Sequence, residues 1–213
     1  MAEQTPSLNI FMICEQVNKS AYGEMPDGYK LRLCRHDELH IWKIIHFDDE
    51  QTAKKHLGYM DYYYDAVYAP KGNLFYEKCL FVVDVNDNPI ATCLIWKAYG
   101  AISTVHWYKV KKKYEGKGIG RALLTVIMRN LSQSDYPVLL HTQPESNRAI
   151  KLYSDFGFKI CTDDKIGSRE NHVSDSLSVL KSSMPRQYFD NLQFATVPKD
   201  ILSLLSARTI DEF

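Results

Sequence analysis

The sequence of 213 residues has no excess charge of either sign, since its 26 basic residues balance its 26 acidic ones. A chain without a net positive field is not drawn strongly to nucleic acid or to anionic membranes, so we expect neither as a partner. It also has no apolar run long enough to cross a bilayer, and residues 1–7 lack the cationic start and apolar stretch of a secretory leader. These absences predict a soluble, cytoplasmic protein.

The cysteines have none of the spacings that bind a metal or form a disulfide framework. None belongs to a C-x-x-C pair, and none stands at ligand spacing from a histidine. Their odd number is typical of a reducing compartment. The sequence therefore predicts neither a metal site nor disulfide bonds for the five cysteines, Cys14, Cys34, Cys79, Cys93 and Cys161.

No repeat, low-complexity tract or linker divides the chain, so we expect a single domain over residues 1–213. Short runs rich in apolar residues predict strands at residues 8–14, 28–35, 79–85, 89–97, a strand ending at Val110, and strands at 138–142, 158–162 and 192–197. Asp37 is predicted to cap a helix that buries Ile41, Trp42 and Ile45, and further helices are predicted at residues 50–68, around Leu123 to Leu131, at 174–192 with a break at Pro185, and at 198–205. The strand, helix and strand between Val110 and Thr142 predict a parallel, right-handed crossover, whereas the polar residues 163–171 predict a loop.

A glycine-rich segment, Glu115-Gly116-Lys117-Gly118-Ile119-Gly120-Arg121, follows the strand that ends at Val110 and opens an amphipathic helix. Glycines at alternating positions let the backbone come close to a ligand, and the free N–H groups of a helix N-terminus bind phosphate oxygens. A glycine-rich turn without a ligand has the same pattern. The spacing excludes a dinucleotide fingerprint, and the absence of Ser or Thr after the Gly-Lys pair excludes a Walker loop.

The run Tyr108-Lys109-Val110 with residues 115–122 resembles the acetyl-coenzyme A loop of the GCN5-related N-acetyltransferases, the GNAT superfamily. Residues 146–158 resemble the second signature of the family, a helix that ends in a tyrosine followed by Gly-Phe. In that helix Ser146 is a plausible N-cap, Ala149, Leu152, Tyr153 and Phe156 share a face, and Gly157 suits a left-handed C-cap. The similarity covers about residues 79–160.

The resemblance implies a GNAT fold of the α/β (α+β) class. Such a fold has a central mixed, mostly antiparallel sheet, helices on both faces, and a parallel strand pair that splays around the cofactor. The single GNAT-like domain would carry an N-terminal strand extension over about residues 1–27 and a C-terminal helical appendage over about residues 163–213.

Coenzyme A contacts are implied for thirteen residues. The chain departs from the family pattern at three positions. Glu115 replaces a usual Gln or Arg and should face solvent, Lys112 replaces a common proline, and Ser146 replaces a frequent asparagine. The implied contacts are Tyr108, Lys109, Val110, Glu115, Gly116, Lys117, Gly118, Ile119, Gly120, Arg121, Ser146, Asn147 and Tyr153.

The resemblance implies that Tyr153 protonates the departing thiolate. His106 is the first candidate for the base that deprotonates the amine, because strand alternation predicts that Thr104, His106, Tyr108 and Val110 share a face. His141 is the second candidate, and a histidine that is merely packed in the sheet remains the alternative. We expect an ionisation near neutral pH if His106 is the base.

The acceptor is expected to enter beside the tyrosine-rich helix, where Asp61 and Asp65 would suit a cationic amine. The five tyrosines are Tyr59, Tyr62, Tyr63, Tyr64 and Tyr68. Three functions stay open: an acetyl-coenzyme A-dependent N-acetyltransferase of small-molecule amines, a protein or peptide N-acetyltransferase, and a non-catalytic acyl-coenzyme A sensor. A monomer and a homodimer are both compatible with the sequence.

Overall fold

A computed structural model describes residues 8–208 and 211–213. The leader considered above, residues 1–7, lies outside the described residues. Ten strands form, namely β1 Ile10–Cys14, β2 Lys30–Leu33, β3 Leu80–Val83, β4 Pro89–Ala98, β5 Ile102–Val110, β6 Val138–Thr142, β7 Lys159–Cys161, β8 Lys165–Ile166, β9 Arg169–Glu170 and β10 Phe194–Ala195. The helices are α1 Leu39–Ile45, α2 Glu50–Tyr63, α3 Leu74–Lys78, α4 Ile119–Arg129, α5 Asn147–Asp155, α6 Val173–Ser183, α7 Arg186–Phe189 and α8 Lys199–Ser206.

The main sheet is mixed, as predicted, with the strand order β10-β7-β1-β6-β5-β4-β3-β2. Only the pairs β5 with β6 and β7 with β10 are parallel. The parallel pair β5 and β6 is joined through α4, which confirms that the predicted crossover is parallel, while its right-handedness stays a prediction. Strand β1 lies between β7 and β6, so residues before the segment of family resemblance form part of the main sheet.

Helices cover both faces of the sheet because side chains alternate along each strand. On one face, Met12 of β1 and Val82 of β3 pack with the apolar sides of α4 and α5. On the other face, Phe81 of β3 packs with α1 to α3, and Phe11 of β1 packs with α8. Both faces are therefore buried, and a ligand can reach the middle of the sheet only where strands separate.

Two local predictions are wrong. Asp37 lies within a short 3₁₀ turn, and the residue that precedes α1 is Glu38, whose carboxylate is held by Arg32. The segment predicted as a loop, residues 163–171, contains the hairpin of β8 and β9. Its two-residue connection begins with Gly167 at φ +64°, a conformation that glycine adopts without strain.

All five cysteines are free thiols buried in the protein. No three His, Cys, Asp or Glu side chains among residues 8–208 and 211–213 are placed to hold a metal ion. Over the same residues, no helix combines the length and apolar character that a membrane span requires.

Candidate active site

A cavity of about 600 Å³ opens where β5 and β6 separate. The parallel pairing ends at Val105 and Leu140, while β5 continues to Val110 and β6 to Thr142. Beyond Val105 the edge of β5 that faces β6 has no strand partner, so its backbone groups are available to a ligand. The described lining residues are Phe47, His56, Tyr59, Tyr63, Val105, His106, Trp107, Tyr108, His141, Thr142, Gln143, Ser146, Ala149, Tyr153, Arg169 and Phe213.

A β-bulge at Trp107 changes the direction of the side chains that enter this cavity. Between the pairs formed by His106 with Leu94 and by Lys109 with Thr92, two residues of β5 lie opposite one residue of β4. Trp107 takes the left-handed conformation, with φ +52°. The extra residue reverses the alternation along the strand.

The prediction that Thr104, His106, Tyr108 and Val110 share one face is therefore wrong. His106 and Trp107 pack toward α1 and α2, whereas Tyr108 and Val110 pack toward α4 and α5. The bulge thus lets two consecutive segments of one strand line the cavity from opposite sides of the sheet.

The glycine loop presents a row of unpaired backbone donors. No N–H group from Gly116 to Arg121 donates a hydrogen bond within the described chain, and Ala122 is the first that does, to the Gly118 carbonyl at 3.0 Å. Gly118 caps α4 with φ +83°, and Gly116 has φ +76°. Six N–H groups around two left-handed glycines at a helix N-terminus fit an anion of the size of a diphosphate.

Most side chains of this loop, and Lys109 at the end of β5, already contact other groups of the protein. Glu115 is exposed, as expected, and pairs with Arg148 at 2.8 Å. Arg121 donates to the Ala21 carbonyl and to Asp155 at 2.8 and 2.6 Å. The Lys109 ammonium pairs with Asp48 and that of Lys117 lies over the ring of Tyr114, while the Ile119 side chain is buried in the core. The backbone is thus the free anion-binding element of the loop.

Tyr108 and Tyr153 form the wall between the glycine loop and the cavity. Their rings meet edge to face, 5.6 Å apart. The Tyr108 hydroxyl lies directly over Gly120, where any Cβ would overlap it. Burial raises the pKa of the Tyr153 hydroxyl well above its usual range, so this group stays protonated at physiological pH.

Helix α5 brings Tyr153 to the cavity and ends as the sequence predicts. The N–H of Gly157 bonds the Ser154 carbonyl and that of Phe158 bonds the Tyr153 carbonyl, the two bonds of a Schellman motif around Gly157 at φ +94°. Ser146 occupies the N-cap position, but its side chain makes no cap hydrogen bond.

Along α5, Tyr153 and Phe156 are buried, whereas Ala149 and Leu152 are partly exposed. Ile150 is buried as well, outside the predicted stripe. The Asn147 amide reaches the Ser183 carbonyl at 3.4 Å and does not line the cavity.

His106 is 3% exposed and lies on the opposite wall. Its Nδ1 is 2.7 Å from the Tyr68 hydroxyl, and its Nε2 is buried without a hydrogen-bond partner in the described structure. Burial, helped by the positive charge of Arg169, lowers the pKa of His106 to about 3. The expected ionisation near neutral pH is therefore not a property of this imidazole, which is neutral at pH 7.

His141 also lines the cavity, but both ring nitrogens are engaged. Nε2 is 2.9 Å from the Asn9 amide oxygen, and Nδ1 accepts a hydrogen bond from Arg169 at 3.0 Å. Burial and the Arg169 guanidinium lower the pKa of His141 to about 3. A lone pair that already accepts from a guanidinium is not available to an amine.

Two of the five clustered tyrosines, Tyr59 and Tyr63, line the cavity. Tyr68 is buried behind His106, while Tyr62 is exposed and Tyr64 packs against Phe75. The acids expected to attract a cation do not reach the cavity: Asp61 pairs with Lys43 at 2.7 Å, and Asp65 is exposed.

Two lining residues lie in segments where the sequence indicated no site. Arg169 stands on the β8–β9 hairpin, and its polar, short strands carry no alternating pattern. Phe213 enters with the segment 211–213, whose Glu212 accepts hydrogen bonds from the Trp96 indole and the Tyr99 N–H. No local sequence pattern signals these contacts, because Arg169 lies 28 positions from its partner His141 and Glu212 lies 116 positions from its partner Trp96.

The Acetyltransferase (GNAT) family model matches residues 40–158. A GCN5-related N-acetyltransferase from Sphaerobacter thermophilus superposes with TM-score 0.51 at 19% identity, covering 73% of this chain and 49% of that chain. A GNAT family acetyltransferase from Colwellia psychrerythraea superposes with TM-score 0.49 at 12% identity, covering 72% of this chain and 53% of that chain. A Drosophila protein superposes with TM-score 0.48 at 14% identity, covering 73% of this chain and 48% of that chain. The chain spans about half the length of these structures. No curated protein matches it.

Proposed function

Because the chain belongs to the GNAT acetyltransferase family, we propose that it transfers an acetyl group from acetyl-coenzyme A to a primary amine of a small molecule by direct attack. One observation carries the proposal: a single cavity is lined by Tyr108 and Tyr153 from one face of the sheet and by His106 and Tyr63 from the other. Two reactants that enter from opposite faces can meet there.

The glycine loop and the free edge of β5 fit coenzyme A. The unpaired N–H groups from Gly116 to Arg121 would hold the diphosphate, and the backbone of residues 107–110 would bind the pantetheine arm as an added strand does. When bound, acetyl-coenzyme A supplies the acetyl group as an activated thioester. Tyr108 and Ser146 line the passage between these two regions.

Nε2 of His106 is the proposed acceptor of the amine proton. With the proton of the free imidazole on Nδ1, donated to the Tyr68 hydroxyl, the Nε2 lone pair has no other partner in the described structure. A buried nitrogen without a hydrogen bond is costly, and a substrate N–H would satisfy it.

The cavity also favours the neutral form of the substrate amine. An alkylammonium has a pKa near 10.4 in water, so a free amine at pH 7 costs about 4 to 5 kcal/mol. Burial and the positive charge of Arg169 disfavour a second cation in the same place, as they do for His106. The environment would therefore share the work of deprotonation with His106.

Tyr153 is the proposed proton donor to the leaving sulfur. Its hydroxyl is protonated because of burial, and α5 aims the ring at the cavity from the cofactor side. A positioned acid of this kind contributes about a hundredfold to ten-thousandfold in rate.

The test of the activity is coenzyme A release from acetyl-coenzyme A over a panel of small amines, amino acids and peptides. We expect turnover of small amines, since about 600 Å³ is the size of an ordinary small-molecule pocket. Turnover of peptides alone would support the protein N-acetyltransferase, and binding of acetyl-coenzyme A without any turnover would support the sensor.

Two glycine variants, one in the loop and one remote from it, test the loop. Gly118 and Gly72 both have positive φ, so a valine strains the backbone at either site, and a Cβ on either would meet nothing closer than 3.5 Å. Acetyl-coenzyme A at about a hundred times its Kd should raise the Tm of the wild type and of Gly72→Val by roughly 5 to 10 °C. We expect no shift for Gly118→Val, and a full shift would overturn the phosphate assignment.

A further inference from the structure

The acceptor end of the cavity combines aromatic walls with a single positive charge. Among the described lining residues, Arg169 is the only side chain with a fixed charge, and no Asp, Glu or Lys lines the cavity. The walls around it are Phe47, Tyr59, Tyr63, Trp107 and Phe213. A cationic acceptor would therefore meet like charge and no acidic side chain in the lining, whereas an anionic group would meet the guanidinium, whose partner Asp211 lies outside the lining.

Arg169 is held in place by two contacts that leave much of its guanidinium free. Nη1 donates to Nδ1 of His141 at 3.0 Å, and Nε is 3.3 Å from the carboxylate of Asp211. An arginine has five N–H donors, so three make no hydrogen bond within the described residues. A planar guanidinium fixed along two directions is preorganised for a second, bidentate acceptor.

The position of Arg169 separates it from the anion-binding loop. Its partner His141 packs on Phe11, and Asp211 belongs to the segment whose Glu212 carbonyl accepts from the Tyr63 hydroxyl. These contacts lie on the sheet face opposite α4 and α5, where the glycine loop is. The guanidinium therefore serves the acceptor rather than the phosphates of coenzyme A.

We propose that the acceptor is an amine with a carboxylate and an aromatic or other apolar group, such as an aromatic amino acid, and that Arg169 binds the carboxylate. The inference rests on the proposed function for the identity of the reaction, but the carboxylate site stands on its own contacts. The aromatic walls bury the apolar group, and His106 lies beside them to receive the amine.

Binding of product analogues tests this site without turnover. The Kd of N-acetylphenylalanine and of its amide is measured by calorimetry with coenzyme A present. We expect the acid to bind about tenfold more tightly or better, because a charge-assisted bidentate pair is lost in the amide. Equal affinity of acid and amide for the wild type would overturn the assignment.

Three variants sharpen the comparison. Arg169→Met should remove the preference for the acid, and Arg169→Lys should retain part of it because the charge remains but the planar fork is lost. Lys165→Met removes an exposed cation from the same hairpin, outside the cavity lining, and should leave the preference unchanged. An acid preference that persists in a folded Arg169→Met protein would also overturn the assignment.

Turnover separates this inference from the proposed function. Phenylalanine and phenethylamine are compared as acceptors by kcat/KM, and we expect phenylalanine to be preferred and Arg169→Met to reverse the order. Turnover of phenethylamine with no preference for the carboxylate would refute the inference alone. An intact acid preference in binding, with no amine turned over, would refute the transferase activity and leave the carboxylate site standing.

Discussion

At the scale of single residues, the proposed chemistry depends on the Tyr153 hydroxyl, which burial keeps protonated by raising its pKa. Tyr153→Phe removes this hydroxyl and keeps the ring that packs on Tyr108 and Phe158. We predict that turnover at saturating substrate falls by about a hundredfold or more while the acetyl-coenzyme A-induced rise in Tm is retained. Both are measured on the purified variant, by coenzyme A release and by thermal unfolding.

Tyr136→Phe is the control for that variant. The Tyr136 hydroxyl is also buried and has no hydrogen-bond partner in the described chain, but the residue does not line the cavity. Its removal should leave turnover unchanged. If chemistry limits the rate and Tyr153→Phe turns over like the wild type, water or another group protonates the sulfur.

The position of His106 could be predicted from the sequence, but its protonation state could not. The strand pattern places the residue in β5, next to the parallel crossover. Its low pKa comes from burial behind Tyr68 and from Arg169, which lie 38 and 63 positions away in the chain. Local pattern contains no information on such distant neighbours, so a neutral-pH ionisation was the reasonable expectation and the wrong one.

At the scale of elements, α4 meets β5 through a contact that only glycine permits. A Cβ at Gly120 would lie 2.1 Å from the Tyr108 hydroxyl and 3.3 Å from its ring carbon. Gly120→Ala should improve the intrinsic helix propensity of α4, yet it must displace Tyr108 from the passage beside the glycine loop. We predict a clear loss of acetyl-coenzyme A affinity, by roughly tenfold, measured by calorimetry.

A second substitution distinguishes displacement of the ring from damage to the loop. Tyr108→Phe removes the overlapping oxygen, and the two remaining 3.3 Å contacts, with the ring carbon and with Cγ2 of Val110, need only small adjustments. The double variant Gly120→Ala, Tyr108→Phe should regain most of the affinity. If it binds as weakly as Gly120→Ala alone, the methyl group acts on the loop itself and the contact with Tyr108 is incidental.

The elements that sequence predicts well are those with strong local signals. Short apolar runs place β1, β4 and β6, and Gly157 marks the end of α5 because a left-handed C-cap requires little more than one glycine. The bulge at Trp107 has no such signal, since a bulky residue at positive φ is held there by its packing on Trp42, His46 and Tyr63. The reversal of side-chain direction in β5 follows from tertiary contacts alone.

At the scale of the whole molecule, the two halves of the proposed site come from different parts of the sequence. The cofactor half is nearly continuous in sequence, from β5 through the glycine loop to α5. The acceptor half combines α2, the hairpin that carries Arg169 and the segment that carries Phe213. A family resemblance over about residues 79–160 therefore indicates the reaction class, whereas the proposed acceptor contacts involve segments outside it.

The buried, neutral histidines also make the stability of the whole protein depend on pH. Burial lowers the pKa of His106 and of His46 to about 3; His46 is partly exposed as a residue, but its Nε2 is buried. Between pH 6.5 and 3 the unfolded chain binds protons at these imidazoles that the folded protein does not. The stability they contribute is complete above about pH 6.5 and is lost toward pH 3, at about 1.4 kcal/mol per pH unit for each histidine.

We therefore predict that His106→Gln flattens the pH dependence of the unfolding free energy. Urea denaturation from pH 4.5 to 6 should give a slope lower by about 1.4 kcal/mol per pH unit than that of the wild type, whatever the cost of the substitution at neutral pH. His40→Gln is the matched control, because His40 is exposed on α1 and should leave most of the slope intact. An unchanged slope in His106→Gln would mean that His106 binds as many protons in the folded as in the unfolded protein between pH 4.5 and 6, which would contradict the low pKa of the buried imidazole.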